Sequence, residues 1–421
     1  MIFDSNNFKY EQKWYFFYLI LYLSLIVSFY FGENSTGGAI VDYINQKKIS
    51  EDFSKDFYKT LVNYDKYSTR HSPVLIIFLS IFEKIEISDY IIRFIHLNLT
   101  LILPIFLFKT LKVIIKDKNI VFFLVSLIFI SPTFRSLAIW PDSRILGLSF
   151  FVICIYEFIK FKNNKKFIHC VKNIIFLSIS SYLSPNFSLF AIFFFIEFFF
   201  HYKDKIKYLF AIILINISLA IPAFVYLFSL ESIFILKTAA TNLDTSENLL
   251  FKNPFNKILL ISTITSFYLL PFYILKIYKL NTLNKSLIKN IILSAVIFFT
   301  CALFFDYQYK FSGGGIFFKF SQYAFNNNYL FYLISFFSII LLLDFINFNI
   351  KNFLLIIILI LSNPQLTIYH KYYDPLLIIL FFTLFNIKID IKIFRSNKNL
   401  FYIFLYFFLF LIANNLKLYV Q

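Results

Sequence analysis

Long apolar runs recur along this chain of 421 residues from one end to the other. The hydrocarbon core of a bilayer is about 30 Å thick, and a helix needs about 20 apolar residues to cross it. Runs of roughly this kind lie near residues 14–32, 90–111, 119–139, 145–160, 173–184, 186–200, 206–229, 257–275, 289–305, 329–347, 352–368, 375–388 and 400–416. They predict an all-α polytopic membrane protein with about 11–13 transmembrane helices, forming a single integral membrane domain over residues 1–421.

The composition excludes an ordinary soluble domain, because 59% of the residues are hydrophobic and only 15% are charged. The formal net charge is +17, but the lysines are spread among short connections between apolar runs. Cytoplasmic loops accumulate Lys and Arg, so this charge indicates orientation in a membrane and no nucleic-acid partner. The three cysteines are widely spaced in or beside apolar runs, which favours inert thiols over a disulfide framework or a metal cluster.

The lysine-rich connections predict which loops lie on which side of the membrane. If the spans alternate, one side receives 109–118, 160–166, 203–207, 276–289 and 388–398, and this side is predicted to be cytoplasmic. The other side receives 33–72, 133–144, 230–256, 306–328 and 369–374. We expect the chemistry on this outer, periplasm-like face of a bacterial cytoplasmic membrane, because these loops hold most of the glycine and two of the histidines.

The first outer loop, 33–89, is too long to be a simple connection. Apolar residues recur at three- and four-residue spacing among its charges, which is typical of a helix lying on a membrane surface. Residues 72–85 form a second apolar segment that starts at Pro73 and is too short to span, so it is predicted to be another interfacial helix. Farther along, Pro185 predicts a break between two half-length helices.

Several short motifs follow one another in a particular order. An aspartate occurs early in the first outer loop; "HSP" begins at His71, "DYIIRF" leads into the second span, "DSR" ends at Arg144, and "HKYYDPLLII" begins at His370. This order resembles the GT-C superfamily of membrane glycosyltransferases, and most closely the branch of the protein O-mannosyltransferases and the lipid A aminoarabinose and galacturonic acid transferases. The resemblance implies transfer of a sugar from a polyprenyl-phosphate carrier to a lipid, glycan or protein acceptor.

The resemblance also implies which carboxylates take part. Asp42 matches the general base that removes the proton from the acceptor hydroxyl, and Glu33 is the substitute candidate. Asp142 matches a second acidic position, from which it would support Asp42 or the acceptor. The resemblance implies no cofactor beyond the lipid-linked donor; a divalent metal held by Asp42 and Asp142 is possible but nothing in the sequence indicates it.

The departing polyprenyl phosphate requires cations near the membrane surface. Lys371 leads the candidates, although the family usually has Arg at that position. The remaining candidates for binding the carrier phosphate or substrate are His370, Arg144, Arg70 and His71. Headgroup anchoring is the alternative for Lys371 and Arg70, and a structural role for His71. Asp374 precedes Pro375 and is expected to cap the helix that follows.

Three consecutive glycines, Gly313, Gly314 and Gly315, lie in the outer loop 306–328 of a chain with only seven glycines. They predict a flexible flap over the carrier lipid or an anion-binding nest, with a plain linker as the alternative.

The connection 131–150 is unusual because it places charge between two apolar runs. Arg135 is expected to be a surface anchor and Trp140 an interfacial aromatic residue. Asp142 and Arg144 are two positions apart, so they point about 200° apart around a helix.

Two other functions fit the composition. An O-antigen-type polysaccharide polymerase also works on polyprenyl-linked glycans, but its large outer loop typically comes late in the chain. A non-enzymatic transporter or lipid flippase would place ionisable residues near the midplane in repeated halves, and we find no internal repeat.

Overall fold

The fold is known from a computed structural model, which describes residues 5–67, 69, 71–229, 254–277, 285–308, 313–365, 367–386, 394 and 396–420. Over these residues the chain forms helices and no strand. The α-helices are α1 (Ser5–Tyr30), α2 (Ala39–Lys55), α3 (Phe57–Val62), α4 (Pro73–Lys84), α5 (Asp89–Thr100), α6 (Ile102–Ile114), α7 (Lys118–Phe129), α8 (Pro132–Ile139), α9 (Ser143–Asn164), α10 (Phe167–Leu183), α11 (Phe190–Tyr202), α12 (Ile206–Ser229), α13 (Pro254–Ile277), α14 (Lys285–Leu303), α15 (Gly315–Phe325), α16 (Tyr329–Ile346), α17 (Ile350–Leu361), α18 (Leu376–Thr383) and α19 (Asn397–Val420). The prediction of an all-α fold is confirmed.

Within the described ranges, seven helical segments are long and apolar enough to cross a membrane, or eight if α7 and α8 count as one span bent by 59°. They identify the chain as a polytopic membrane protein. The expected 11–13 spans exceed this number, and three shorter apolar helices account for part of the difference: Phe167–Leu183, Ile288–Leu303 and Ile350–Leu361.

Two predicted spans are not among the seven segments. The run 145–160 belongs to α9, which has 22 residues and packs against α6 and α10, but its charged residues Arg144, Glu157, Lys160 and Lys162 keep it out of that set. The run 375–388 gives α18, which has only 8 residues and is too short to cross a bilayer. Both helices are apolar because they line the interior of the bundle, which hydropathy alone cannot distinguish from lipid contact.

The predicted break at Pro185 is confirmed. Helix α10 ends at Leu183, a short 3₁₀ turn covers Pro185–Phe187, and α11 begins at Phe190. Phe187 stacks on Phe151 of α9 with ring centroids 4.9 Å apart, so the break itself is packed in the aromatic core.

The first outer loop forms the expected helices, α2, α3 and α4, with α2 packed along α4. Two side chains of α2 tie it to the start of α5. The Tyr43 hydroxyl donates to the Asp89 carboxylate at 2.5 Å, and Lys47 Nζ donates to the same oxygen at 3.0 Å. Helix α2 is therefore fixed against the bundle, which matters because its first turn carries Asp42.

Candidate functional site

Asp42 and Lys371 meet although 329 positions separate them in the sequence. Asp42 lies in the first turn of α2, and Lys371 lies in a 3₁₀ turn, His370–Tyr372, between α17 and α18. Lys371 Nζ donates to Asp42 Oδ2 at 2.8 Å, and the two side chains keep 18% and 31% of their surface exposed. The pair is therefore accessible from outside the protein.

Electrostatics keep this pair ionised. Burial raises the pKa of Asp42, but nearby positive charge, above all the Lys371 ammonium that also donates a hydrogen bond to it, lowers that pKa by more, so its pKa lies below the usual value. Burial lowers the pKa of Lys371, and the Asp42 carboxylate, with smaller contributions from Tyr372 and Asp142, raises it above its usual value. Each partner stabilises the charged form of the other.

His71 belongs to the same cluster. Its backbone carbonyl accepts a hydrogen bond from the Tyr64 hydroxyl at 2.8 Å, and Ser72 beside it caps α4. Burial lowers the pKa of the His71 ring, while Asp142 and Asp42 raise it less strongly. The ring therefore lies among carboxylates but is held neutral by its surroundings at neutral pH.

The "DSR" triplet completes the group. Asp142 is 5% exposed and caps α9, where its Oδ1 accepts the Arg144 amide at 2.7 Å. The Arg144 guanidinium lies over the Tyr372 ring at 3.7 Å from the centroid. Its Nε and Nη1 are buried and have no hydrogen-bond partner. We call Asp42, His71, Asp142, Arg144 and Lys371 the charged cluster.

His370 does not join the charged cluster, contrary to the prediction that it binds the carrier phosphate. Its Nδ1 lies 3.2 Å from the Tyr268 hydroxyl, and its ring packs against Phe267 and Phe410 with centroids 5.3 and 5.2 Å away. Burial lowers the pKa of His370 to about 3. A neutral ring among aromatic side chains supplies no charge to a phosphate.

The glycine triplet is packed and does not form the predicted flap. Gly313, Gly314 and Gly315 have φ of +92°, +88° and +76°, a region that side chains disfavour. The Gly314 amide donates to the Ile368 carbonyl at 2.7 Å, so it is not free for an anion. A Cβ on Gly313 would lie 2.5 Å from the same oxygen. The triplet therefore allows two backbone segments to approach closely, just before Lys371. Arg70 lies outside the described residues.

Arg135 is an internal tether and not the expected surface anchor. It is 6% exposed, and its Nε lies 3.1 and 2.9 Å from the two Glu33 carboxylate oxygens. Its Nη1 donates to Ser24 Oγ at 3.1 Å and to the Phe129 carbonyl at 3.2 Å, and its Nη2 donates to the Ser24 carbonyl at 3.2 Å. Glu33, the substitute candidate for the base, therefore lies in an almost fully buried ion pair with Arg135.

Two further residues near the charged cluster were not assigned to it from the sequence. Tyr372 supports Arg144 through its ring, and its only signal was adjacency to Lys371. Asp374 does not cap the helix after it; its Oδ2 accepts Ser131 Oγ at 2.6 Å and the Thr133 amide at 2.9 Å, at the start of α8. No sequence signal indicates that pairing, because 243 positions separate Asp374 from Ser131.

Comparisons with protein-family models, with curated proteins and with solved structures find no match for this chain. Within the described residues, no three His, Cys, Asp or Glu side chains group as metal ligands would.

Proposed function

We propose that this protein is a membrane glycosyltransferase that moves a sugar from a polyprenyl-phosphate carrier to a lipid, glycan or protein acceptor. The observation that carries the proposal is the charged cluster, which joins residues from α2, from the segment before α4, from the start of α9 and from the turn before α18. Such a transfer requires a carboxylate for the acceptor proton and cations for the departing phosphate, and the charged cluster contains both.

In the proposed reaction, the acceptor oxygen forms a bond to the anomeric carbon while the bond from that carbon to the phosphate oxygen breaks. The Asp42 carboxylate takes the acceptor proton, and the phosphate leaves with the electron pair. A general base of this kind contributes about 10²–10⁴-fold to the rate. The Asp42 carboxylate is ionised, as a base must be before it accepts a proton, but its pairing with Lys371 lowers its pKa and so weakens it as a base.

Arg144 is the proposed principal contact of the departing phosphate. Its two unpaired donors, Nε and Nη1, are suited to phosphate oxygens, and the Tyr372 ring fixes the plane of the guanidinium. Lys371 adds a second positive charge next to the proposed base. The seven apolar segments support a site at a membrane surface, for which we propose the outer face of a bacterial cytoplasmic membrane.

The test is transfer by the purified protein in lipid nanodiscs, with radiolabelled polyprenyl-phosphate sugars and a panel of lipid, glycan and peptide acceptors. We expect Asp42→Asn to lower kcat by at least about 100-fold. Asp52→Asn is the matched control, since Asp52 lies on the same helix but accepts a hydrogen bond from the Tyr67 hydroxyl at 2.9 Å. Transfer by Asp42→Asn at the wild-type rate would end the assignment of the base.

A further inference from the structure

Helix α8 is a short buried helix that contacts both the segment before Asp42 and the turn that contains Lys371. All 8 of its residues are buried. Ser35 Oγ donates to the Pro132 carbonyl at 2.8 Å, and Thr36 Oγ1 lies 2.9 Å from Ser136 Oγ. These contacts fix the segment that leads directly into α2 and Asp42.

Asp374 makes the corresponding contact from the C-terminal half of the chain. It is 4% exposed, and it accepts the Ser131 hydroxyl and the Thr133 amide, so it caps α8 from outside that helix. Its own amide donates to the His370 carbonyl at 3.2 Å, which closes a compact turn containing Lys371. A displacement of Asp374 therefore moves Lys371 with it.

The physical chemistry favours this contact. The first amides of a helix have no partner within it, and a carboxylate there also interacts favourably with the helix dipole. Burial raises the pKa of Asp374, and the hydrogen bonds from Ser131 and Thr133 oppose that shift. A buried carboxylate is costly without such partners, so this one is held in a single position.

We propose that Asp374 is a positioning residue, which sets Lys371 opposite Asp42 by fixing the turn before α18 to α8. Its effect on sugar transfer rests on the proposed function, but its effect on geometry does not.

The geometric test uses paired cysteine substitutions, Asp42→Cys with Lys371→Cys, and a short bifunctional thiol reagent on the full chain in nanodiscs. The cross-linking rate is compared in otherwise wild-type protein, in Asp374→Ala and in Asp374→Asn. A control pair, Trp14→Cys with Asn119→Cys, replaces the half-buried Trp14 of α1 and the exposed Asn119 of α7, whose side chains are hydrogen-bonded at 2.9 Å.

We expect Asp374→Ala to slow the first cross-link about tenfold and to leave the control cross-link unchanged, because hydrogen bonds to a buried charged group are strong. Asp374→Asn should restore most of the rate, since its amide oxygen, placed where Oδ2 lies, can accept from both Ser131 and Thr133. Ser131→Ala, which removes one of the hydrogen bonds that Asp374 accepts, should give an intermediate rate. An unchanged first cross-link in Asp374→Ala, or equal slowing of both pairs, would overturn the proposal.

A second measurement separates this inference from the proposed function. Binding of undecaprenyl phosphate to wild-type protein and to Asp374→Ala is followed by its effect on thermal unfolding. If the wild type does not bind undecaprenyl phosphate, the proposed function fails, while the cross-linking rates still decide whether Asp374 positions Lys371. If the wild type binds it, weaker binding by Asp374→Ala and recovery by Asp374→Asn support the positioning role, and equal binding by all three contradicts it.

Discussion

Replacing Arg144 by methionine should change stability and ligand binding in opposite directions. The wild-type side chain buries two donors, Nε and Nη1, that have no hydrogen-bond partner. Each unpaired buried donor costs about 1–3 kcal/mol. Against this, the contact with the Tyr372 ring contributes about 0.5–2 kcal/mol. The attraction to Asp42 is the weakest of the effects on that carboxyl group. With both donors at the low end of that range, we expect Arg144→Met, which keeps the length and apolar stem, to raise the free energy of unfolding by at least about 1 kcal/mol.

The assay is thermal unfolding of protein in nanodiscs with and without undecaprenyl phosphate. For a chain of this size, about 1 kcal/mol corresponds to a rise in Tm of about 1 °C. Undecaprenyl phosphate should raise the Tm of the wild type by mass action, and this shift should disappear in Arg144→Met because two charge-assisted contacts are lost. Lys371→Met is the matched comparison: it should also weaken binding, but it leaves Asp42 without its partner and should lower the Tm.

The result that would refute this reasoning is a lower Tm for Arg144→Met, or an undecaprenyl phosphate shift as large as in the wild type. A lower Tm would mean that Arg144 is a structural residue whose donors are satisfied. An unchanged shift would mean that the lipid phosphate binds elsewhere.

Two further predictions concern His370 and Gly313, which were predicted to belong to the site but do not join the charged cluster. Burial lowers the pKa of His370 to about 3, so below pH 6.5 the unfolded chain binds a proton at this residue and the folded protein does not. The free energy of unfolding should therefore decrease as the pH is lowered from about 6.5 towards 3. The Tm of His370→Gln should decrease less than the Tm of the wild type between pH 7 and pH 5. Gly313→Ala should lower the free energy of unfolding by about 2 kcal/mol, because Gly313 has a positive φ and lies close to the Ile368 carbonyl. Gly38→Ala is the control: its Cβ would lie 3.8 Å or more from its neighbours, so its free energy of unfolding should stay within about 0.5 kcal/mol of the wild type. Equal Tm values for the two variants would contradict the packing role of the triplet.

The sequence predicts helices well here and their environment less well. Apolar runs of about 20 residues gave an all-α membrane protein, because a helix is the simplest way to satisfy the backbone in lipid. The same runs also predicted a span at 375–388, where a helix of only 8 residues forms, since a short helix buried among other helices is as apolar as one that faces lipid. Hydropathy shows that a helix avoids water, and it does not show whether lipid or other helices surround it.

The orientation of neighbouring side chains was beyond the sequence. His370 and Lys371 are adjacent, and both were assigned to the carrier phosphate. In a 3₁₀ turn successive side chains point about 120° apart, so one enters the aromatic core while the other reaches Asp42. Only the three-dimensional arrangement shows that His370 is buried in the core whereas Lys371 is half-buried and pairs with Asp42.

Their hydrogen bonds distinguish Arg135 from Arg144, which the sequence alone does not. Arg135 and Arg144 lie in one stretch, and both are charges that a membrane protein carries only at a cost. The Arg135 guanidinium is paired by Glu33, by the hydroxyls of Ser24 and Ser28 and by two backbone carbonyls, which is how a structural cation is held in a protein interior. Arg144 instead faces an aromatic ring and leaves Nε and Nη1 unpaired near a half-buried ion pair. This difference in hydrogen bonding is the reason why Arg144, and not Arg135, is the arginine that we propose contacts the departing phosphate.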